Sequence, residues 1–121
     1  MELSFGKINL GLSIPYKRSD GYHEIQTIFV PISFGDRMQI RYETAKTGKS
    51  SFHFSSKNFL RGYRAGLFEA VSERGDITKN ILHRAYEQLL PHFLTPTRVE
   101  IELEKCLPPE GGIGGGSSNA G

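Results

Sequence analysis

Val99-Glu100-Ile101-Glu102-Leu103-Glu104-Lys105-Cys106-Leu107-Pro108-Pro109-Glu110-Gly111-Gly112-Ile113-Gly114-Gly115-Gly116-Ser117-Ser118-Asn119 is the most informative stretch of this chain. Val99, Ile101 and Leu103 alternate with three glutamates, the period of a strand with one apolar face and one acidic, solvated face. The strand feeds a loop with five glycines in six positions, and Ser117-Ser118-Asn119 then opens a helix. Glycines let successive backbone N–H groups turn inward and let the backbone approach a ligand closely. A helix start adds unpaired amides and the positive end of its dipole. Together these make a phosphate cradle, with serine hydroxyls in reach of phosphate oxygens or a magnesium ion. The bland alternative is a flexible glycine linker; the strand before the run and the Ser-Ser-Asn after it favour the cradle.

Spacing excludes two better-known cradles. A Walker loop ends in Gly-Lys-Ser/Thr, whereas Gly116 is followed by Ser117 and Ser118. A dinucleotide fingerprint counted from Gly112 would need glycine at position 117, which is serine. The loop is of a third kind and carries no lysine of its own.

Upstream, Ile8, Leu10, Leu12 and Ile14 alternate with smaller or polar residues and predict a half-buried strand. Ser19-Asp20-Gly21 is a turn signal. The β-branched run Ile25–Ile32 predicts a more buried second strand, Phe34-Gly35-Asp36 a second turn, and Met38, Ile40 and Tyr42 a third strand. Residues 44–75 give little pattern: Phe52 and Phe54 alternate like a short strand, and 60–71 reads as an insertion or a short irregular helix. From Ile77 the period becomes helical, with Ile81, Leu82, Ala85 and Leu89 on one face. Asp76 or Thr78 is placed to cap the start and Pro91 to stop it.

Composition bounds the function classes. The 121 residues suit one domain or a large part of one. Fifteen basic against thirteen acidic residues leave a formal charge of +2, too weak to argue for nucleic acid as a partner. The single cysteine, Cys106, has no disulfide partner in the chain and excludes a multi-cysteine zinc site. No apolar run is long enough for a membrane span, and Met1–Leu10 is too polar for a secretion signal. A cytoplasmic protein with no membrane partner is expected. His23-Glu24-x-x-Thr27 lacks the second histidine of a zinc motif, so no metal ligand set is expected. His53, His83 and His92 read as surface or partly packed residues.

The segment Pro108-x-x-x-Gly112-Ile113-Gly114-Gly115-Gly116-Ser117-Ser118-Asn119-Ala120 resembles the ATP loop of the GHMP kinase superfamily. Lys7-Ile8-Asn9-Leu10 and Asp20-Gly21-Tyr22-His23-Glu24 resemble, in the same order, motifs of the members that act on a cytidine diphosphate-linked sugar alcohol in non-mevalonate isoprenoid biosynthesis. The motifs cover most of 1–42 and 79–121, with 44–75 poorly matched. The resemblance implies an α+β fold like the N-terminal GHMP kinase domain, with the topology of ribosomal protein S5 domain 2. It also implies that 1–121 is the truncated N-terminal, ATP-binding domain, with the C-terminal domain absent from this chain and this fragment inactive alone.

The activity implied is transfer of a phosphoryl group from ATP, with Mg2+, to the 2-hydroxyl of that small-molecule substrate. Lys7 matches the catalytic lysine, which offsets charge on the attacking oxygen and the transferring group; without its neighbours it would read as a solvated lysine on a strand. Asn9 matches a substrate-binding position, and Tyr22 and His23 match the cytidine site, where an aromatic face stacks on the base and a histidine bonds its edge. The bland reading of Tyr22 is a turn aromatic packed on the strands. Asn80, Lys105, Pro108, Gly111, Gly112, Ile113, Gly114, Gly115, Gly116, Ser117 and Ser118 match ATP-binding positions. Asn80 and Lys105 are the weaker matches, since both residue types are common at such positions for structural reasons. The aspartate that pairs with the lysine in the family would lie beyond Gly121.

Departures are Gly6, where the family usually has alanine, and Pro109-Glu110, where it more often has a small or apolar residue and then glycine. Glu110 would weaken ATP binding if it faced the nucleotide and change little if it faced solvent. Two rival readings stand. One is a superfamily kinase with another acceptor, against which Asp20-Gly21-Tyr22-His23 argues. The other is a non-catalytic nucleotide- or RNA-binding module, against which the modest charge argues.

Overall fold

The computed structural model describes all of residues 1–121. Strand β1 (Glu2–Ser13) turns back through residues 14–25 into β2 (Gln26–Thr44), and the two pair antiparallel from Glu2↔Met38 to Ser13↔Gln26. Past the end of β1, β2 continues antiparallel beside β4 (Thr97–Lys105), from Arg37↔Glu104 to Thr44↔Thr97. Strand β3 (Ser51–Asn58) lies parallel to β4, so the sheet order is β1-β2-β4-β3. Parallel neighbours need a crossover, and here it carries helix α1 (Tyr63–Glu69), a 3₁₀ turn (Ile77–Lys79), helix α2 (Ile81–Leu89) and a second 3₁₀ turn (Leu90–His92). A last helix, α3 (Gly115–Ala120), follows the glycine loop. The architecture is mixed α+β, as expected.

The β4 alternation holds: Ile101 and Leu103 are buried and, with Phe68 of α1 and Leu82 of α2, form the core, flanked by Met38, Phe52, Phe54 and Val99. Each such side chain contributes about 1.5–3 kcal/mol on burial. The outward glutamates are held at the surface: Glu102 pairs with Arg41 at 3.1 Å and Glu104 with Lys57 at 3.7 Å.

Four expectations need correction. Phe34-Gly35-Asp36 is not a turn; β2 runs through it without a break. Gly35 pairs with Phe5 of β1, and a Cβ there would run into the Ser4 carbonyl. The glycine serves close backbone approach within the sheet. The run 25–32 is not buried: Ile25 is 52%, Ile28 66% and Phe29 61% exposed, because α1 and α2 pack over the β3–β4 side and the short α3, which lies on β1 and β2, leaves this part of the hairpin uncovered. Ile8, Leu10, Leu12 and Ile14 are exposed for the same reason.

Helix α2 begins later than Asp76 or Thr78. Asn80 has extended backbone and accepts the Leu82 N–H at 2.9 Å, so it is the cap, while Asp76 caps the preceding 3₁₀ turn by accepting the Thr78 N–H at 3.2 Å. Thr78 and Lys79 around that carboxylate lower its pKa, the Thr78 hydroxyl most. Pro91 sits inside the closing 3₁₀ turn, where its missing N–H leaves no helical bond unmade. In the weakly patterned segment, Phe52 and Phe54 lie on β3, and 60–71 contains the short helix α1.

Candidate active site

The glycine loop and Lys7 meet at a β-bulge. The β1–β2 register shifts between Phe5 and Lys7, where Gly6 of β1 faces three residues of β2, and Lys7 resumes the pairing opposite Pro31, which has no N–H to offer it. The Lys7 N–H donates to the Ile113 carbonyl at 2.8 Å. Lys7 Nζ donates to Asn9 Oδ1 at 3.1 Å and to the Gly112 carbonyl at 3.2 Å, and lies 4.9 Å from the centre of the Phe29 ring. The ammonium thus carries an oxygen pair on one side and an aromatic face on another. Across the gap, the Ser4 hydroxyl donates to Ser118 Oγ at 2.9 Å.

An open cleft of about 660 Å³ lies between these walls, lined by Phe5, Lys7, Phe29, Gly112, Ser117 and Ser118 among others. No carboxylate lines it. Lys7 is therefore the one formal charge on the lining, and it faces a loop able to present backbone amides. Gly114 stands at φ 71°, and a Cβ on it would come within 3.2 Å of Lys7 Cε. Here glycine serves both the left-handed backbone and the fit of the lysine stem.

Other loop residues support this arrangement. A Cβ on Gly115 would fall 2.8 Å from Leu107 Cβ, so the loop's two ends close onto each other only because residue 115 has no side chain. Gly116 lies against Ile81 of α2, and Gly111 against Pro108. The Pro109 carbonyl accepts a hydrogen bond from the Arg64 guanidinium of α1. Glu110 takes φ 56° and its side chain is exposed; it faces solvent and does not line the cleft. Ile113 contributes its carbonyl to Lys7 and is half-buried.

Asn80 and Lys105 stand apart from the cleft. Asn80 is buried, with its oxygen on the Leu82 N–H and its Nδ2 on the Val71 carbonyl at 2.9 Å. Lys105 is 3% exposed, its Nζ 2.5 Å from Asp36 Oδ2. Both side chains are engaged within the fold.

Tyr22 and His23 sit in the β1–β2 connection. The Asp20 carboxylate accepts the Tyr22 N–H at 3.1 Å, Arg18 pairs with Asp20 at 2.7 Å, and His23 forms a bridge to Lys17. This braced turn leaves the Tyr22 ring 76% exposed, so it does not pack on the strands. It lies in the connection beyond Ser13, where the β1–β2 pairing ends six strand residues from Lys7. Lys7, Asn9 and the loop are one cluster; Tyr22 and His23 belong to the far end of the same hairpin.

Sequence reasoning missed Asp36, Arg64, Asn119 and Ser4. Asp36 offered a signal, an acid inside an otherwise strand-like run, but Phe34-Gly35-Asp36 fits the turn rule equally well. Arg64 lies in the weakly patterned segment and offered none. The Cys106 thiol has its pKa raised, first by burial and then by the nearby Asp36 and Glu104 carboxylates, which keeps it a neutral thiol.

A kinase from Leptospira biflexa is 55% identical over 120 residues, 98% of this chain and 39% of its own length. The chain is homologous to a stretch of 4-diphosphocytidyl-2-C-methyl-D-erythritol kinase. The protein of that name from Leptospira interrogans is 45% identical over 118 residues, and that from Thermus thermophilus 35%. A crystal structure of 4-(cytidine 5'-diphospho)-2C-methyl-D-erythritol kinase superposes with a TM-score of 0.64 at 35% identity, over 98% of this chain and 36% of that one. No protein-family model matches the chain. The chain thus spans about two-fifths of the curated kinases it matches. The likeness runs through the weakly patterned 44–75 as well, since nearly the whole chain is aligned.

Proposed function

We propose that the chain supplies the ATP loop and the catalytic lysine of a 4-diphosphocytidyl-2-C-methyl-D-erythritol kinase, transferring the γ-phosphoryl group of ATP to the 2-hydroxyl of its cytidine diphosphate-linked acceptor. The observation that carries this is Lys7 Nζ, lodged 3.2 Å from the Gly112 carbonyl in a cleft that the lysine and the glycine-serine loop line together. Phosphoryl transfer asks the protein chiefly to position two reactants and to offset charge. Lys7 offsets charge on the acceptor oxygen and the γ-phosphate, Asn9 holds the ammonium and orients the acceptor, and the amides of 111–118 take the phosphates.

No group of three or more His, Cys, Asp or Glu is placed to hold a metal. The Ser117 and Ser118 hydroxyls line the cleft and would be the side-chain oxygens to hold a Mg2+ carried by the triphosphate, which would supply charge neutralisation. The cleft's lining also lacks a base, which in this reading comes from outside residues 1–121. Asn80 and Lys105 act from behind the loop, by holding α2 and the strand exit where the nucleotide base would lie.

Residues 1–121 are, in this reading, the N-terminal domain of a two-domain enzyme with the topology of ribosomal protein S5 domain 2, working in the cytoplasm in isoprenoid synthesis. No helix is long and apolar enough to cross a membrane. The uncovered side chains of Leu10 and Ile28, opposite each other on β1 and β2, are a surface suited to a second domain. Tyr22 and His23, on the connection beyond the paired end of the hairpin, suit a substrate whose cytosine and reacting hydroxyl lie at opposite ends.

The deciding experiment is ADP release from MgATP by the whole protein that carries this chain, with and without 4-diphosphocytidyl-2-C-methyl-D-erythritol. Release that depends on that acceptor is the expected result. Nucleotide binding without turnover on any alcohol would make the chain a binding module.

A further inference from the structure

Asp36 is fully buried in β2 and has no solvent to screen it. Its Oδ1 accepts the backbone N–H groups of Cys106 and Leu107, both at 2.7 Å. Its Oδ2 accepts Lys105 Nζ at 2.5 Å and Asn119 Nδ2 at 2.8 Å. Residues 105–107 are where the chain leaves β4 and enters the glycine loop; residue 119 lies on α3, where it has left it. One carboxylate therefore ties both ends of the loop 108–118 to the sheet. Leu107, with no exposed surface, fills the space between those ends and against Gly6 and Gly115.

We propose that Asp36 is the positioning residue of the nucleotide loop, acting with Asn119 as a clasp that sets the amides of 111–118 against Lys7; this rests on the reading that the loop binds ATP. The chemistry suits the task. A carboxylate offers four acceptor sites and here meets four donors, so its charge is fully satisfied. Two of the donors are main-chain groups, which fix the path of the strand exit rather than one rotamer. The third, the Lys105 ammonium, neutralises the carboxylate where no water reaches it. The fourth is the carboxylate's own link to α3, on a buried residue where the Ser4–Ser118 bond is exposed, and Asn119 Oδ1, also buried, has no partner. The Asn119 amide thus makes its bond through Nδ2 alone, with its acceptor left unmet. The cleft-side contacts Lys7–Ile113 and Ser4–Ser118 then hold a loop whose two ends are already fixed.

The test uses the whole protein carrying this chain, with Asn119→Ala and Asp36→Asn. Asp36→Asn puts an amide against the donors around it and leaves Lys105 buried without its anion, so it is prone to misfold; Asn119→Ala removes one neutral link and keeps the inference testable. Two readouts are taken: hydrogen exchange of amides 111–118 without ligand, and titration with a magnesium complex of a non-hydrolysable ATP analogue. For Asn119→Ala we expect exchange in 111–118 to quicken at least tenfold while β1–β2 amides stay as in the wild type. The analogue's Kd should rise about tenfold, and in steady state the KM for ATP should rise while the KM for the acceptor does not. A folded Asn119→Ala protein with wild-type loop exchange and wild-type Kd overturns the clasp. A wild-type protein that binds no nucleotide overturns the ATP reading, and this inference with it, whatever the exchange pattern.

Discussion

The side chains of Lys7 and Asn9 project from the same strand, and the lysine ammonium donates to the Asn9 carboxamide at 3.1 Å. Alternate residues on a strand share a face, so a Lys-x-Asn on β1 brings a charge and an orienting amide to one point over the glycine loop. Replacing Lys7 with methionine keeps the stem that packs on Gly114 and removes the charge. Turnover of ATP with the cytidine acceptor should fall by about 10²–10³-fold, the scale for losing one preorganised group that stabilises transition-state charge. The nucleotide Kd should move far less, since the loop amides remain. Steady-state kinetics paired with nucleotide titration checks this, and an unchanged kcat would remove Lys7 from the chemistry.

Gly114 is the second point where the loop and Lys7 constrain each other. At φ 71°, alanine would be in the left-handed region, and its Cβ would meet the lysine stem at 3.2–3.3 Å. The backbone term costs about 1–2 kcal/mol. Gly114→Ala should therefore lower stability to denaturant by that amount and also depress kcat by pushing Lys7 off the Gly112 carbonyl. Gly112 is also at positive φ, but a Cβ there would meet nothing within 4 Å, which makes it the control. Gly112→Ala should show the stability loss with a smaller loss of kcat.

What the sequence disclosed depended on whether a residue's role was local. The β4 alternation, the glycine loop and the helical face of Leu82 and Ala85 announce themselves through period and spacing, because their partners repeat along the element. Gly35 and Asp36 did not. Their roles come from the Ser4 carbonyl and from the 105–107 and Asn119 donors, far away in the chain. A Gly-Asp pair satisfies a turn rule as well as it satisfies this buried clasp. Exposure of Ile28 and Phe29 was illegible for a related reason: apolar pattern shows which residues seek cover, not which element supplies it. Arg64 reaches the Pro109 carbonyl from a segment with no readable period.

Asn80 separates a structural from a ligand-contacting role. Its oxygen caps α2 and its Nδ2 bonds the Val71 carbonyl, so Asn80→Ala loses a cap and the amide donor to a part-buried carbonyl. A loss of about 1–2 kcal/mol in urea denaturation is expected. Asn80→Asp keeps the capping oxygen and should recover part of that loss.

Tyr22 stands on the braced turn at the far end of the hairpin with most of its ring in solvent. Truncating it to alanine removes no packing, so thermal stability should stay within about 0.5 kcal/mol of the wild type. If the ring stacks on the cytosine, Tyr22→Ala should raise the KM for the acceptor by the equivalent of about 1–3 kcal/mol and leave the KM for ATP alone. An acceptor KM that does not change would return Tyr22 to an ordinary surface tyrosine.

Glu110 is the one non-glycine residue at positive φ, 56°, and it occupies a loop position with no contact that needs its carboxylate. A non-glycine residue held there costs about 1–2 kcal/mol of backbone strain, partly offset in a glycine variant by the greater freedom of the unfolded chain. Glu110→Gly should therefore stabilise the fold by about 0.5–1 kcal/mol, seen as a higher midpoint in urea. The side chain faces solvent, so its charge is screened from the cleft, and nucleotide affinity should rise by less than about threefold at physiological salt. A loss of stability in Glu110→Gly would mean that the loop draws on the side chain, and that the strain reading of residue 110 is wrong.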